Sequence, residues 1–323
     1  MSSNKPARVA AVVVTYNRRA ELDCCLRSLL AQTHRLHTIY VIDNASKDGT
    51  DDLLRDHYAS SIQHCRLTQN SGCAGALQYG IALAHHDGHD WIWLLDDDGC
   101  PAINCLDALL KAGTSVPGVA AVSPQKRSVQ GERLPSEMIW DSASSTFIPV
   151  FEMARSGSWM SIDYAGSCGL LLNTSVISPA GLPRGDFFME LEDYEYCTRL
   201  TKHGRIIWAP SALLTHPPQQ PALSSAVFWR RYYWWRNLIY CSHHLRLKLF
   251  PGMFRTVRSV AGESGAILLR YDRRLWRLGV ILFALWHGWR GKLGRAPKWV
   301  HTSGERTGRT NAVTATDSRQ ATA

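Results

Sequence analysis

The chain of 323 residues is 45% hydrophobic and 20% charged, an ordinary globular composition that excludes bulk disorder and allows one large domain or two modest ones. Its formal net charge is +9. The nine cysteines form no paired Cys-x-x-Cys spacing, which disfavours zinc and disulfide frameworks and is typical of a reduced, cytosolic protein. The N-terminal residues contain no apolar signal-peptide core, and no apolar stretch reaches the roughly 20 residues of a membrane-spanning helix.

Apolar, β-branched runs alternate with helical patterns through the first part of the chain. The predicted elements are strand 11–15, helix 22–30, strand 38–42, helix 51–58, strand 63–68, helix 72–84, strand 91–95, helix 102–111 and strand 119–122. This order is typical of a doubly wound α/β fold with a mostly parallel, Rossmann-like sheet. Further along, residues 125–161 predict an irregular loop or a short hairpin, and residues 205–208 predict a short strand closed by Ala209-Pro210.

Polar side chains follow four of the predicted strands. In parallel sheets, ligands bind beyond this carboxyl end of the strands. The clusters are Thr15-Tyr16-Asn17, Asp43-Asn44, Asn70-Ser71-Gly72 and Asp96-Asp97-Asp98. Three adjacent carboxylates repel one another unless a cation neutralises them, and a hard divalent ion such as Mg²⁺ or Mn²⁺ would do so. The competing interpretation of the triplet is a solvated turn.

A second acidic cluster lies far along the chain and contains Glu190, Glu192, Asp193 and Glu195. Acidic residues are common at a helix N-terminus, where they complement the helix dipole. The alternative is that one carboxylate acts as the general base for an attacking hydroxyl group. His216, between an apolar run and two prolines, is either structural or a further metal ligand.

Taken together and in this order, the motifs resemble those of the family-2 inverting glycosyltransferases, which have a GT-A fold. The resemblance covers about residues 9–216 and also includes the segments 13–18 and 41–50. It implies that Thr15, Tyr16, Asn17 and Asp43 hold the nucleobase and ribose, and that Asn70 and Gly72 lie against the nucleotide. It further implies nucleotide or metal contacts for the triplet, with Asp98 as the principal metal ligand, Asp96 in the same Asp-x-Asp function, Asp97 beside the nucleotide, His216 as a second metal ligand, and Asp193 as the catalytic base.

Some of the motifs resemble those of bacterial galactofuranosyltransferases and rhamnosyltransferases of cell-envelope polysaccharide assembly. The resemblance therefore implies metal-dependent, inverting transfer of galactofuranose or rhamnose from a UDP- or dTDP-linked donor to a lipid-linked or polysaccharide acceptor. Ala76 and Gln78 depart from the glycine and asparagine of many relatives, which affects contacts near the sugar. The alternative function is a non-catalytic relative that binds a nucleotide sugar or lipid.

The C-terminal part changes in character and carries the basic excess. Fifteen basic residues oppose only Glu263 and Asp272 between Phe228 and Trp299, a local charge of about +13. We expect a catalytic domain over 1–220, a basic amphipathic helical extension over 221–300 and a disordered tail over 301–323. The extension either packs on the core or lies on an anionic membrane surface, which we favour over nucleic acid. The expected location is the cytoplasmic face of the plasma membrane, with peripheral attachment.

Overall fold

The computed structural model of the chain describes residues 7–143, 146–153, 159–218, 223–224, 227–245 and 253–301. Its strands in these ranges are β1 (Val9–Thr15), β2 (Thr38–Asp43), β3 (Gln63–Arg66), β4 (Trp91–Asp96), β5 (Cys100–Pro101), β6 (Val119–Arg127), β7 (Glu137–Asp141), β8 (Thr146–Pro149), β9 (Met160–Ile162), β10 (Tyr164–Ala165), β11 (Leu171–Asn173) and β12 (Arg205–Thr215). Its helices there are α1 (Arg19–Leu30), α2 (Thr50–Leu53), α3 (Gly72–His86), α4 (Cys105–Ser115), α5 (Val150–Met153), α6 (Ile177–Ala180), α7 (Glu192–Leu200), α8 (Arg230–His243), α9 (Met253–Arg270), α10 (Arg274–Trp289) and α11 (Lys298–His301).

One large sheet organises the molecule, in the strand order β3-β2-β1-β4-β11-β6-β12-β5 with β9 beside β12. Strands β3, β2, β1 and β4 are parallel, as are β6 and β12, and β11 is inserted antiparallel between these groups. A second, three-stranded antiparallel sheet is formed by β10, β7 and β8. The predicted α/β class with a mostly parallel sheet is confirmed.

Helices cover both faces of the large sheet, which explains the uninterrupted apolar strands. All seven residues of β1 are buried. On one face Leu22 and Leu26 of α1 pack with Val13, and on the other Leu77 and Ile81 of α3 pack in a second apolar cluster. A strand buried on both faces needs apolar residues at every position rather than at alternate ones.

Several of the predicted boundaries were wrong. Strand β12 does not close at Ala209-Pro210 but runs on to Thr215, because a bulge between Ala209 and Leu213 takes the proline out of the ladder. The hairpin predicted within residues 125–161 is present as β7 and β8, but the region begins with the end of β6, which extends to Arg127. Helix α4 begins at Cys105, three residues later than predicted, after the turn that follows β5.

The C-terminal helices pack onto the loop that precedes α7. Phe187, Phe188 and Leu191 of that loop share an apolar cluster with residues of α8 and α10. Not all of the basic residues in this segment face solvent, because Arg236 and Arg277 are only 0% and 1% exposed. None of the helices that the structure describes is long and apolar enough to span a bilayer. The expected disordered tail falls almost entirely outside the described ranges.

Candidate active site

The carboxyl ends of neighbouring parallel strands bring the predicted nucleotide-binding side chains to one edge of the sheet. Thr15 at the end of β1 pairs with Asp43 at the end of β2, and Asp96 at the end of β4 pairs with Val14. Tyr16, the next residue after β1, is 42% exposed, whereas Asp43 is fully buried. The edge therefore combines an open aromatic ring with a buried carboxylate.

The loops after β1 and β2 are tied to each other by Asn17. Its backbone N–H donates to Ser46 Oγ at 2.9 Å, and its side-chain Oδ1 accepts from the backbone N–H of Lys47 at 2.7 Å. The residue has a φ of 53°, in the left-handed region that asparagine tolerates better than most residues. Asn17 thus fixes the shape of the edge beside Tyr16.

Asp43 presents one satisfied and one unsatisfied oxygen. Oδ1 accepts a 2.8 Å hydrogen bond from the Ser46 N–H. Among the described residues Oδ2 has no hydrogen-bond partner, and His64 Nε2 and Arg66 Nε lie 3.8 and 3.9 Å away. Burial opposes ionisation, but His64, Ser46 and Arg66 together hold the pKa of Asp43 below its ordinary value. An ionised, buried acceptor oxygen is suited to an N–H or O–H donor of a ligand.

The turn before α3 is organised by Asn44, a residue to which the family resemblance gives no role. Its Oδ1 accepts from both N and Oγ of Ser71, at 3.1 and 2.9 Å, and its Nδ2 donates to the Gly72 carbonyl at 3.1 Å. Asn70 Oδ1 accepts from the Gly72 N–H at 2.8 Å. Gly72 has a φ of 78°, and a Cβ at this position would lie 2.0 Å from the Phe188 carbonyl oxygen. The turn therefore requires glycine where it touches the loop before α7.

The three carboxylates of the triplet have different environments. Asp97 is 5% exposed, accepts from Thr15 Oγ1 at 2.9 Å and lies 3.4 Å from Arg18 Nη1. Burial raises the pKa of Asp97 to about 7, against the opposing effects of Arg18 and Thr15. Burial and the nearby Asp98 raise the pKa of Asp96 as well. Asp98 contacts Arg18, and although burial acts upward, His216 and Arg18 hold its pKa below the ordinary value.

The donor set around Asp98 fits a divalent cation. His216 Nε2 lies 3.2 Å from Asp98 Oδ1, yet that oxygen has no hydrogen-bond partner in the described part of the chain. His216 Nδ1 is 2.7 Å from the Pro217 carbonyl oxygen, which orients the ring and leaves Nε2 toward the carboxylates. Burial lowers the pKa of His216, but contacts with Asp98 and Cys168 outweigh burial and raise it to about 11. The position therefore stabilises positive charge, as a metal site requires.

The second acidic cluster divides into structural and chemical members. Glu190 Oε1 accepts from Arg230 Nε at 2.6 Å, and Glu195 Oε1 accepts from Arg199 Nε at 2.7 Å. Glu192 is 8% exposed, and burial together with Asp193 raises its pKa well above the ordinary value. Asp193 Oδ2 accepts from the Tyr164 hydroxyl at 2.9 Å, and its Oδ1 accepts from the Tyr194 N–H at 2.7 Å.

The environment of Asp193 sets the pKa of its carboxyl group close to neutral pH. Burial raises its pKa to about 6, while the hydrogen bonds from Tyr164 and Tyr194 and the charge of Lys126 act in the opposite direction. A base whose pKa lies slightly below neutral pH is mostly ionised and can still accept a proton. Cys73 Sγ lies 4.0 Å from Asp96 Oδ1, and the charges of Asp96 and Asp193 both raise the pKa of this thiol.

Lys126 is a site residue that the sequence did not reveal. It is 3% exposed, its Nζ lies 3.1 Å from Glu137 Oε1, and it donates to the Gly166 carbonyl oxygen at 3.2 Å. Its charge lowers the pKa of both Asp96 and Asp193. The apolar run through residue 122 predicted the start of β6, but only strand pairing as far as Arg127 shows that Lys126 enters the site.

The loop before α7 is held from the C-terminal helices. Phe188, Glu190 and Leu191 have φ values of 66°, 65° and 67°, a concentration of left-handed non-glycine residues that needs external support. Asn237 Nδ2 donates to the carbonyl oxygens of Met189 and Glu190 at 2.8 and 2.7 Å. Arg236 Nη2 donates to the Phe187 carbonyl oxygen at 2.6 Å. Helix α8 thus fixes the backbone that leads into Asp193.

The mostly parallel α/β sheet with acidic residues at its carboxyl edge has the fold of GT-A glycosyltransferase structures. The chain belongs to glycosyl transferase family 2, whose family model matches residues 10–175, about half of its length. It is therefore a glycosyltransferase enzyme. The relatives that it resembles in sequence are consistent with that assignment, and the solved structures that it resembles share its fold.

The galactofuranosyltransferase GlfT1 of Mycolicibacterium smegmatis is 28% identical over 210 residues, which cover 61% of this chain and 66% of that protein. The N-acetylglucosaminyl-diphospho-decaprenol L-rhamnosyltransferase of Mycobacterium tuberculosis is 27% identical over 234 residues, 64% of this chain and 74% of that protein. The matched region thus spans just under two thirds of the galactofuranosyltransferase. The crystal structure of GalNAc-T7 with UDP, GalNAc and Mn²⁺ has a TM-score of 0.61 at 13% identity, covering 87% of this chain and 56% of that one.

Proposed function

We propose that the protein transfers a sugar, with inversion at the anomeric carbon, from a UDP- or dTDP-linked donor to a lipid-linked or polysaccharide acceptor, with Mg²⁺ or Mn²⁺ as cofactor. Galactofuranose and rhamnose are the favoured sugars, because relatives of the chain are named for their transfer. The observation that carries the proposal is Asp193, a half-buried carboxylate with a pKa of about 6, whose charge acts on the Cys73 thiol together with that of Asp96. One base and no second nucleophile is the requirement of a single displacement.

The donor would lie along the carboxyl edge of the sheet. Asp43 Oδ2, which has no hydrogen-bond partner among the described residues, supplies an acceptor for the base or ribose, and Tyr16 supplies an exposed ring beside it. Asn17, Asn70 and Gly72 shape the two loops that border this place. Thr15 donates a hydrogen bond to Asp97, so these two residues would contribute by fixing the strand ends against which the nucleotide lies.

Asp98 and His216 are the residues that would hold the cation, with Asp96 beside them. A bound divalent ion neutralises the charge that develops on the diphosphate leaving group. Asp193 accepts the proton of the acceptor hydroxyl as that oxygen attacks, and Tyr164 orients the Asp193 carboxylate through its 2.9 Å hydrogen bond. Lys126 favours the ionised form of Asp193 before the proton arrives.

The acceptor proposal is supported by an exposed stripe on α10. Leu275, Leu282, Trp286 and Trp289 recur at helical spacing on one face, and they are 85%, 65%, 44% and 59% exposed. The side chains of Arg290 and Lys292 lie over the Trp286 ring, at 5.6 and 5.1 Å from its centre. Apolar side chains flanked by cations suit the interface of an anionic membrane, where lipid-linked acceptors are found. We therefore propose peripheral attachment at the cytoplasmic face of the plasma membrane.

Donor and metal are tested by thermal unfolding with UDP and dTDP, each with and without Mn²⁺. We expect stabilisation by one nucleotide that increases with Mn²⁺, since a ligand that binds only the folded state raises its stability. Transfer assays with UDP-galactofuranose, dTDP-rhamnose and UDP-hexoses then identify the sugar. Stabilisation that ignores Mn²⁺, or transfer that survives complete chelation, would contradict the metal requirement.

The membrane surface is tested by co-sedimentation with vesicles. We expect binding to anionic vesicles that weakens with salt and weakens further in the Leu282→Glu variant. Leu30→Glu is the matched control, because Leu30 is also exposed, at 49%, but lies on α1 away from the stripe. Equal binding to neutral and anionic vesicles, or equal loss in the two variants, would argue against this surface.

A further inference from the structure

A buried thiol lies beside the residues that would hold the cation. Cys168, just before β11, is 5% exposed. Its Sγ accepts a weak hydrogen bond from the Asp96 N–H at 3.5 Å, and a Cβ placed on Gly99 would lie 2.7 Å from this sulfur. One ligand atom each from Asp96, Cys168 and His216 lie within 4.8 Å of one another. Ligand atoms around one tetrahedral ion lie about 3.3–3.8 Å apart, so small side-chain rotations bring all three to a single ion.

The other cysteines near the triplet have different relations to it. Cys25 Sγ points to the Asp96 backbone carbonyl at 3.7 Å rather than to its carboxylate. Cys73 Sγ lies 4.0 Å from Asp96 Oδ1 and is not part of the group with His216. In the described part of the chain, Cys168 is the thiol whose sulfur lies near both the Asp96 carboxylate and the His216 imidazole.

We propose that Cys168 is a ligand of the divalent cation and that its sulfur shifts the selectivity of the site from Mg²⁺ toward thiophilic ions such as Co²⁺, Zn²⁺ and Cd²⁺. The inference rests on the proposed metal-dependent function and adds to it a residue that sets metal selectivity. Carboxylate oxygens alone suit Mg²⁺, whereas thiolate and imidazole ligands favour softer transition metals. On binding, the thiol releases its proton to solvent and the sulfur donates an electron pair to the ion, with no change of oxidation state.

The purified full-length protein, kept reduced without added thiol, is titrated with Co²⁺ and followed by absorption. We expect the near-ultraviolet charge-transfer band of a Co²⁺–thiolate bond in the unsubstituted protein. Cys168→Ala should lose the band and bind Co²⁺ at least about tenfold more weakly, while its Mg²⁺ affinity changes less than about twofold. Cys25→Ala is the matched control, since Cys25 is equally buried and also contacts Asp96, and it should keep the band.

The spectrum of the unsubstituted protein decides the question even if Cys168→Ala fails to fold. Co²⁺ binding that shows visible absorption without a thiolate band would overturn the role of Cys168 and leave the metal-dependent function intact. A band that survives in Cys168→Ala, or disappears in Cys25→Ala, would also overturn it. Absence of any Co²⁺ binding would count against both the thiol ligand and the metal site.

Discussion

The carboxyl edge of the sheet and the loop before α7 are built in different ways. At the edge, Thr15 and Asp43 are adjacent because their strands are paired, and short loops of neighbouring sequence complete the surface. The loop before α7 contains three left-handed residues and depends on Arg236 and Asn237, about 50 residues further along the chain. The polar residues of the sheet edge are thus held by strand pairing, whereas the position of Asp193 depends on the C-terminal helices.

The largest expected effect is that of Asp193→Asn. Without a carboxylate to accept the proton of the acceptor, turnover should fall by at least about 10²-fold, the usual contribution of a general base. Nucleotide binding should remain nearly unchanged, because the sheet edge is not altered. Transfer kinetics and calorimetric titration with the nucleotide measure the two quantities. Unchanged turnover would remove Asp193 from its role.

Gly72→Ala alters the point where the two regions touch. The new Cβ would lie 2.0 Å from the Phe188 carbonyl oxygen, and the φ of 78° adds backbone strain. We expect a loss of about 2–4 kcal/mol in the free energy of unfolding, with both nucleotide affinity and turnover reduced. Urea unfolding and the two assays above test this. A variant that loses turnover but retains full nucleotide affinity would show that the regions are less connected than the contact suggests.

Arg236→Met separates support of the loop from general stability. Arg236 and Arg277 are both buried arginines that lie over aromatic rings and donate to backbone carbonyls, but only Arg236 reaches the loop before α7. Both Met variants should lose thermal stability. Turnover should fall about tenfold in Arg236→Met with nucleotide affinity unchanged, because misplacement of a catalytic group by about 1 Å is costly.

Arg277→Met is the control for that comparison. It should retain the turnover of the unsubstituted protein per folded molecule, measured at a temperature where both variants remain folded. Equal losses of turnover in the two variants would assign the effect of Arg236 to stability alone. Rescue of turnover in Arg236→Lys would support a role for the hydrogen bond to the Phe187 carbonyl.

The smallest expected effect is a shift in the pH dependence of transfer. Activity should decline as pH falls through about 6, because Asp193 becomes protonated and can no longer accept a proton. The Tyr164 hydroxyl stabilises the carboxylate, so Tyr164→Phe should raise the pKa of Asp193 and move the acid limb of the profile to higher pH, by about half a unit. A profile that moves to lower pH would contradict this hydrogen bond.

The sequence alone determined the fold class and which polar residues lie at the carboxyl edge of the sheet. Apolar strands at regular spacing require a sheet covered on both faces, and parallel pairing then places Thr15, Asp43 and Asp96 at one edge. The motifs also gave the family, which the match over residues 10–175 confirms. The roles of the individual site residues remain predictions that the experiments above test.

Only the tertiary structure decided which charged residues are held in ion pairs and which are not. In sequence Glu190, Asp193 and Glu195 are similar acids, but contacts with Arg230, Tyr164 and Arg199 give each a different environment. The same holds for the basic C-terminal segment, in which Arg236 and Arg277 are buried and donate hydrogen bonds to backbone carbonyl oxygens. Lys126 and Cys168 each contact residues from other parts of the chain. These contacts depend on side-chain packing between elements, and no local pattern in the chain encodes that packing.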